Sequence, residues 1–405
     1  MIDIENLRVK QNTFEKLPER LRYNSVMKSY YERFCEEEKN EILNKRTLLN
    51  KGERLTNCAQ LWTSNYYRWL NTKEILSANL CRDRFCLNCQ SALAYQRYLK
   101  FSPLLSNFSV TNSIYHCVFT VKNCKGLFLK STIKTMFKSY YTLNEYLNGR
   151  KKIKSYDFEE FGYIGSVRAL EVTFNKESNE YHPHLHCLLL LDKNLRLRKH
   201  VKNAFSYDKH SDEIVLFSEE EILFQKIWYL LNNGQKVNQK NIESLELGYS
   251  VEFKRADERS FKEVFKYAFK ADLDKDECMG FDVFKTYFKT LPGLRFISGY
   301  GVLHGIKFED DAELEDLTKS EIVDYFKSFE ELEPPVVIHE HYTDVERNIK
   351  NDQVYLTRNA LHDAILSDID DSRLTEESKQ VLEEFIKKNN HSEKSLYEEM
   401  IKNKK

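Results

Sequence analysis

The chain is predicted to be an α+β protein built around a largely antiparallel sheet. Between residues 113 and 291, β-rich runs (SIYHCVFTV, SVRALEVTF, HLHCLLLL, SLELGYSVEF) alternate with stretches whose apolar residues recur every three or four positions. The 405 residues are 41% hydrophobic and 13% aromatic, enough for a sizeable core divided over two or three domains. That composition excludes wholesale disorder, collagen and coiled-coil fibre.

Taken in order, residues 1–56 are charged and helical in pattern, with an acidic run at Glu36–Glu38 and no evident chemistry. Residues 57–110 form a cysteine-bearing segment. The main domain is expected over 111–308, with helices at about 127–147, 218–232, 258–272 and 276–290 between the β-runs. After Leu291-Pro292-Gly293 comes a short β-like run, LRFISGYGVLHGI. Residues 309–405, broken at Pro334-Pro335, read as a tail of amphipathic helices.

The net charge of -1 conceals an asymmetry. Residues 309–405 hold 26 acidic and 13 basic side chains, a balance of -13, whereas residues 1–308 hold 37 acidic and 49 basic, a balance of +12. A basic body suits a polyanionic partner. The acidic tail reads either as a solvated helical face or as a docking element. No apolar run approaches the roughly 20 residues of a membrane helix, and MIDIENLRVK has no signal-peptide core, so a cytoplasmic protein without membrane contact is expected.

In a reduced compartment the nine cysteines are unsuited to a disulfide framework, and a cluster of them is first a metal site. Cys81, Cys86 and Cys89 stand in CRDRFCLNCQ, and Cys58 lies 23 residues before Cys81. The C-x-x-C turn can aim two sulfurs at one ion, and four thiolates make a closed structural zinc site. The alternative, small buried hydrophobes without metal, sits poorly among Arg and Asp. Arg82 and Arg84, between the ligands, are candidates for phosphate contacts, with ordinary solvated ion pairing as the competing role.

In EYHPHLHCLLLL, His182, His184 and His186 recur at period two, so on a strand they share a face. Two such imidazoles can occupy adjacent positions on one divalent ion. If Phe174 pairs with Tyr181 across NKESNE, Glu171 falls opposite His184 and supplies a carboxylate. Two imidazoles and a carboxylate suit Mn2+ or Mg2+ acting on phosphate, and can also suit zinc. His182 is a fourth ligand or a supporting group. Histidines satisfied by sheet hydrogen bonds are the bland alternative, a better account of one His than of three.

In SFKEVFKYAFKADL, the stripe Phe261, Val264, Phe265 and Ala268 leaves Glu263, Lys266, Tyr267 and Lys270 to the other side of a helix. Next to a metal-polarised phosphodiester, Tyr267 could attack phosphorus, Lys270 could neutralise charge on the phosphate and Glu263 could activate a water or a strand end. Taken alone, the segment reads far more readily as an amphipathic helix with a snorkelling Tyr and Lys.

The three signals in this order, C-R-x-R-x-C-x-x-C, H-P-H-L-H and E-x-x-K-Y-x-x-K, resemble the replication initiators of rolling-circle plasmids, the Rep branch of the HUH endonucleases. CVFTVKN at 117–123 and LRFISGYGVLHG extend the resemblance, which covers about 58–305. It implies a five-stranded antiparallel sheet with helices on one face, the His pair on a central strand and the tyrosine on an adjacent helix. It further implies a site-specific single-strand endonuclease and strand transferase, in which His184 and His186 match the metal-binding pair, Tyr267 the nucleophile, and Glu263 the carboxylate near it. Lys266, Arg82 and Arg84 join the DNA-binding candidates. The implied partners are origin DNA, single-stranded or extruded as a hairpin, and host replication proteins such as a helicase, with a homodimer as a possible assembly. The tyrosine follows the histidine motif, the reverse of the order in conjugative relaxases. The shared motifs do not account for the acidic tail. Two rivals remain: a metal-dependent phosphohydrolase without a covalent intermediate, and a non-catalytic zinc protein that binds DNA.

Overall fold

The computed structural model describes residues 15–38, 45–68, 71–195, 197, 201–207, 214–265, 279–306 and 336–356. In chain order the elements are α1 (Leu17–Glu37), α2 (Lys45–Thr56), β1 (Leu61–Tyr67), β2 (Thr72–Ala78), α3 (Leu87–Thr111), β3 (Asn112–Thr120), α4 (Gly126–Leu147), β4 (Gly165–Asn175), β5 (Glu180–Asp192), β6 (Val201–Tyr207) and β7 (Ile214–Phe217). Then come α5 (Glu219–Asn232), α6 (Gln239–Glu243), β8 (Val251–Arg255), α7 (Glu258–Phe265), α8 (Phe281–Thr290), β9 (Ile297–Gly301), β10 (Val336–His341), α9 (Tyr342–Lys350) and β11 (Val354–Leu356). They divide into two compact units, the first taking the described residues up to Ala92 together with 336–356, and the second those from Leu93 to 306.

In the first unit four strands are ordered β10-β1-β2-β11. β1 and β2 form a hairpin, β10 pairs antiparallel with β1 from Leu61↔His341 to Tyr66↔Val336, and β11 runs parallel to β2. This corrects the expectation of a purely helical tail: its described part is strand, helix, strand. The reason is local. VVIHEH carries β-branched residues suited to a pleated strand, and its edge is stitched by polar contacts. Lys73 Nζ lies 2.6 Å from Glu340 Oε1, and Tyr355 Oη donates to the same carboxylate at 3.0 Å.

In the second unit a five-stranded antiparallel sheet is ordered β8-β3-β5-β4-β9. The resemblance implied helices on one face; both faces are covered. On one side Phe119 meets the rings of Tyr140 from α4 and Trp228 from α5 edge-on, at centroid distances of 5.5 and 5.2 Å. On the other, Phe101, Leu105 and Phe108 of α3 and Phe261, Val264 and Phe265 of α7 pack with Val167, Ala169, Leu188 and Leu190. Double coverage explains the unbroken apolar run in β5: Leu188, Leu189, Leu190 and Leu191 are all fully buried. Each such leucine contributes roughly 1.5–3 kcal/mol of burial.

Helix ends follow from local chemistry. Ser218 caps α5: its Oγ accepts from Glu221 N at 3.2 Å, while Glu221 Oε2 accepts from Ser218 N at 2.7 Å. Glu221 also accepts from Phe253 N at 2.8 Å, tying α5 to β8. Asp257 begins α7 by accepting from Ser260 N at 2.8 Å. Of SLELGYSVEF only the last three residues are strand, the start of Val251–Arg255; before them Gly248 lies against α5 so closely that a Cβ there would stand 1.8 Å from the Gln225 carbonyl oxygen.

Candidate metal centres

The β4–β5 hairpin pairs Phe174 with Tyr181 and Glu171 with His184, the register anticipated from the sequence. Its turn is built from the residues that suit it. Asn175 Oδ1 accepts from Ser178 N at 3.0 Å, and Asn179 takes the left-handed conformation at φ 52°. With this register fixed, Glu171, His184 and His186 project from one face, and their donor atoms lie within 4.8 Å of one another.

Glu171 Oε2 accepts from His186 Nε2 at 2.8 Å and from His184 Nε2 at 3.2 Å. The carboxylate is buried, at 6% exposure. Burial alone would raise its pKa, but the hydrogen bonds and positive charge of His184 and His186 outweigh it and hold the group well below the usual carboxylate range. His184 Nδ1 donates to the His182 carbonyl at 3.2 Å, which fixes this ring with Nε2 toward the carboxylate. The two Nε2 protons shared with Glu171 are those that a divalent ion displaces, so the donor set fits a metal with open positions.

His182 stands beside this set. Its ring centroid is 5.1 Å from that of His184, and burial followed by the charge of His184 lowers its pKa. His116, on β3, was not singled out from the sequence. Its Nε2 lies 3.1 Å from His186 Nδ1, the two ring planes being 6° apart. Burial first, then the charge of His186, lowers its pKa to about 4. The available signal was parity. His116 pairs with Leu188, two residues from His186, so both histidines share a face.

α7 covers this same face of the sheet through Phe261, Val264 and Phe265, the first three residues of the expected stripe. Glu263 lies on α7, and its charge acts on His116. Lys266, Tyr267, Ala268 and Lys270 lie outside the described residues.

In the first unit, Cys58, Cys81, Cys86 and Cys89 converge and are all buried. Sγ–Sγ distances are 3.4 Å for Cys58–Cys86 and 3.5 Å for both Cys58–Cys89 and Cys81–Cys89. These are close to the edges of a tetrahedron with metal–sulfur bonds of about 2.3 Å. Backbone amides point at the sulfurs as they do toward thiolates: Arg82 N donates to Cys89 Sγ at 3.1 Å and Cys81 N to Cys58 Sγ at 3.4 Å. Arg82 reaches this position at φ 58°. Hydrogen bonds within the cluster lower the pKa of Cys89 and Cys86 and raise that of Cys58 and Cys81, so without metal the four sulfurs share protons that an ion would displace. The donor set fits a closed zinc site.

Helices α1 and α2, from the segment that showed no chemistry in the sequence, brace this cluster. Asn24 Nδ2 donates to Cys86 Sγ at 3.3 Å, and Tyr31 Oη, two turns along α1, donates to Asp83 Oδ2 at 2.9 Å. Arg54 Nη2 holds the Cys81 carbonyl at 2.9 Å. The side chain of Arg82 is exposed and that of Arg84 half-buried beside Tyr31.

The antiparallel sheet carries two imidazoles and a carboxylate on one face, and the first unit carries a buried four-cysteine cluster; each donor set is compatible with a metal ion. Residues 72–205 match the family described as Replication protein. It is similar to proteins named "Protein rep" from Bacillus amyloliquefaciens, 32% identical over 38% of this chain and 43% of that protein, and from Bacillus sp, 31% identical over 38% of this chain and 48% of that protein. A third, from Staphylococcus aureus, is 25% identical over 44% of this chain and 69% of that protein. The chain thus spans less than half the length of the two Bacillus relatives. No solved structure matches it. Among the described residues, no helix is long and apolar enough to cross a membrane.

Proposed function

We propose that the protein is a cytoplasmic rolling-circle plasmid replication initiator of the HUH endonuclease type, which nicks single-stranded origin DNA by tyrosine attack. The observation that carries this is the convergence of Glu171, His184 and His186 on a sheet face covered by α7, the helix directly preceding Tyr267 in the chain. The match of residues 72–205 to the family described as Replication protein points the same way.

In this reading Glu171, His184 and His186 hold Mn2+ or Mg2+, which supplies Lewis-acid polarisation of the scissile phosphate when bound. The Tyr267 oxygen attacks phosphorus, the P–O3′ bond breaks, and the 3′ oxygen leaves and takes up a proton. The 5′ phosphate stays on Tyr267 as a diester, so bond energy is retained while the free 3′-OH primes synthesis. Lys270 neutralises charge on the phosphate, and Glu263 takes a proton in the later transfer that releases a circle. Arg82, Arg84 and Lys266 contact the DNA backbone, and the four cysteines hold a structural zinc. Origin DNA, extruded as a hairpin where duplex, a host helicase and a second copy of the chain are the proposed partners.

The test is incubation of the protein and Mn2+ with end-labelled single-stranded origin DNA, followed by a denaturing gel. A protein-linked band is expected, absent with Tyr267→Phe. Metal-dependent cleavage without an adduct would replace this reading with a phosphohydrolase, and binding without cleavage would leave a DNA-binding protein.

A further inference from the structure

Among the described residues, His116 is the one imidazole outside the histidine run that touches the candidate metal site, and it meets His186 at the ring atom that a metal would leave unused. For His186 to offer Nε2 as a ligand, that nitrogen must carry a lone pair, and the ring proton must then sit on Nδ1. Nδ1 lies 3.1 Å from His116 Nε2. The nearly parallel rings, 6° apart, put the two nitrogens in line for a hydrogen bond in the ring planes.

The contact is set by the sheet. β3 and β5 pair through Val118↔His186 and His116↔Leu188, which makes His116 the diagonal neighbour of His186 on the same face. His184 has its own equivalent, since its Nδ1 meets the His182 carbonyl at 3.2 Å. Both imidazoles thus have an acceptor at the far nitrogen, one from the backbone and one from a side chain. Acceptors in this place fix the tautomer and rotation of a metal-binding imidazole.

We propose that His116 is a positioning residue for the metal site: its Nε2 accepts the Nδ1–H of His186 and holds Nε2 of that ring, unprotonated, toward the ion. The inference rests on the reading of Glu171, His184 and His186 as a divalent-metal site. His116 is itself outside the converging set of donors, so its loss would weaken the site without removing a ligand.

The experiment is calorimetric titration of the full-length protein with Mn2+ alone, without DNA, for the parent, His116→Leu, His116→Gln and His186→Ala. Thermal melting of each metal-free protein serves as the control for folding. His116→Leu should bind Mn2+ about 10–100-fold more weakly. His116→Gln, whose amide oxygen can still accept, should recover most of that loss, a rescue that a purely space-filling role would not give. For the Mg2+-loaded protein, imidazole nitrogen NMR should place the proton of His186 on Nδ1 in the parent and in His116→Gln. Parental affinity in a folded His116→Leu, with binding lost in His186→Ala, would overturn the positioning role and leave the metal site standing. Equal binding by the parent and His186→Ala would show instead that the metal site itself had been misread. Should His116→Leu fail to fold, the Gln variant decides alone, because affinity reduced as far as by His186→Ala would contradict rescue.

Discussion

Glu171 stands directly opposite His184 in the β4–β5 ladder, and one oxygen of its carboxylate accepts hydrogen bonds from both His184 and His186. A single acidic oxygen thus gathers two imidazoles from alternate positions of one strand. Glu171→Gln keeps the shape but removes the charge that offsets a cation. Mn2+ affinity should fall by about tenfold or more, measured by calorimetry, while the melting temperature of the metal-free protein changes little.

The histidine face also sets a pH dependence. The pKa of His116 is lowered in the fold to about 4, from an ordinary 6.5, so the unfolded chain binds the additional proton between those values. Stability due to this group is full above pH 6.5 and declines as the pH falls toward 4. The lowered Glu171 pKa acts with the same sign further into acid, its contribution being lost below the ordinary carboxylate range. Urea unfolding of metal-free protein at pH 7 and pH 5 should show a loss of about 2 kcal/mol at the lower pH due to His116. His116→Gln should lose correspondingly less.

The cysteine cluster should bring one equivalent of zinc through purification, released by a thiol-reactive mercurial and counted with a colorimetric chelator. Cys86→Ser or Cys89→Ser should remove the metal and open the first unit to protease, because structural zinc sites contribute folding energy directly. Retention of a full equivalent by both variants would contradict the assignment.

The tail tests a different part of the account. Without residues 309–405, β1 and β2 lose both flanking strands and remain a two-stranded hairpin, an arrangement marginal in water. The truncated protein should therefore be cleaved rapidly within residues 45–92 under limited proteolysis. Glu340→Ala removes the carboxylate from a mostly buried pair and leaves Lys73 its hydrogen bond to Tyr355 Oη, and should cost about 3 kcal/mol in the unfolding of that unit.

What could be read from the sequence was short in range. The β4–β5 register matches the one assumed from Phe174 pairing with Tyr181 across the six residues NKESNE, and helix α4 lies within a residue of its expected bounds. What escaped depended on distant partners. Leu61 meets His341 across 280 positions, and the strand VVIHEH lay in a segment whose acidic composition suggested helices. His116 was hidden as the single histidine of a β-run, its meaning set only by a neighbouring strand. The bracing of the cysteines by Asn24 and Tyr31 likewise needed α1 to be placed in space.

The central claim is that a tyrosine six residues after a buried stripe begins forms a covalent link to DNA at the histidine site. It is tested most directly by digesting the protein after reaction with Mn2+ and single-stranded origin DNA, then mapping nucleotide-modified peptides by mass spectrometry. A nucleotide adduct on Tyr267, present in the parent and lost in His184→Ala, is the predicted result. Cleaved DNA with Tyr267 unmodified, or an adduct on another residue, would contradict it.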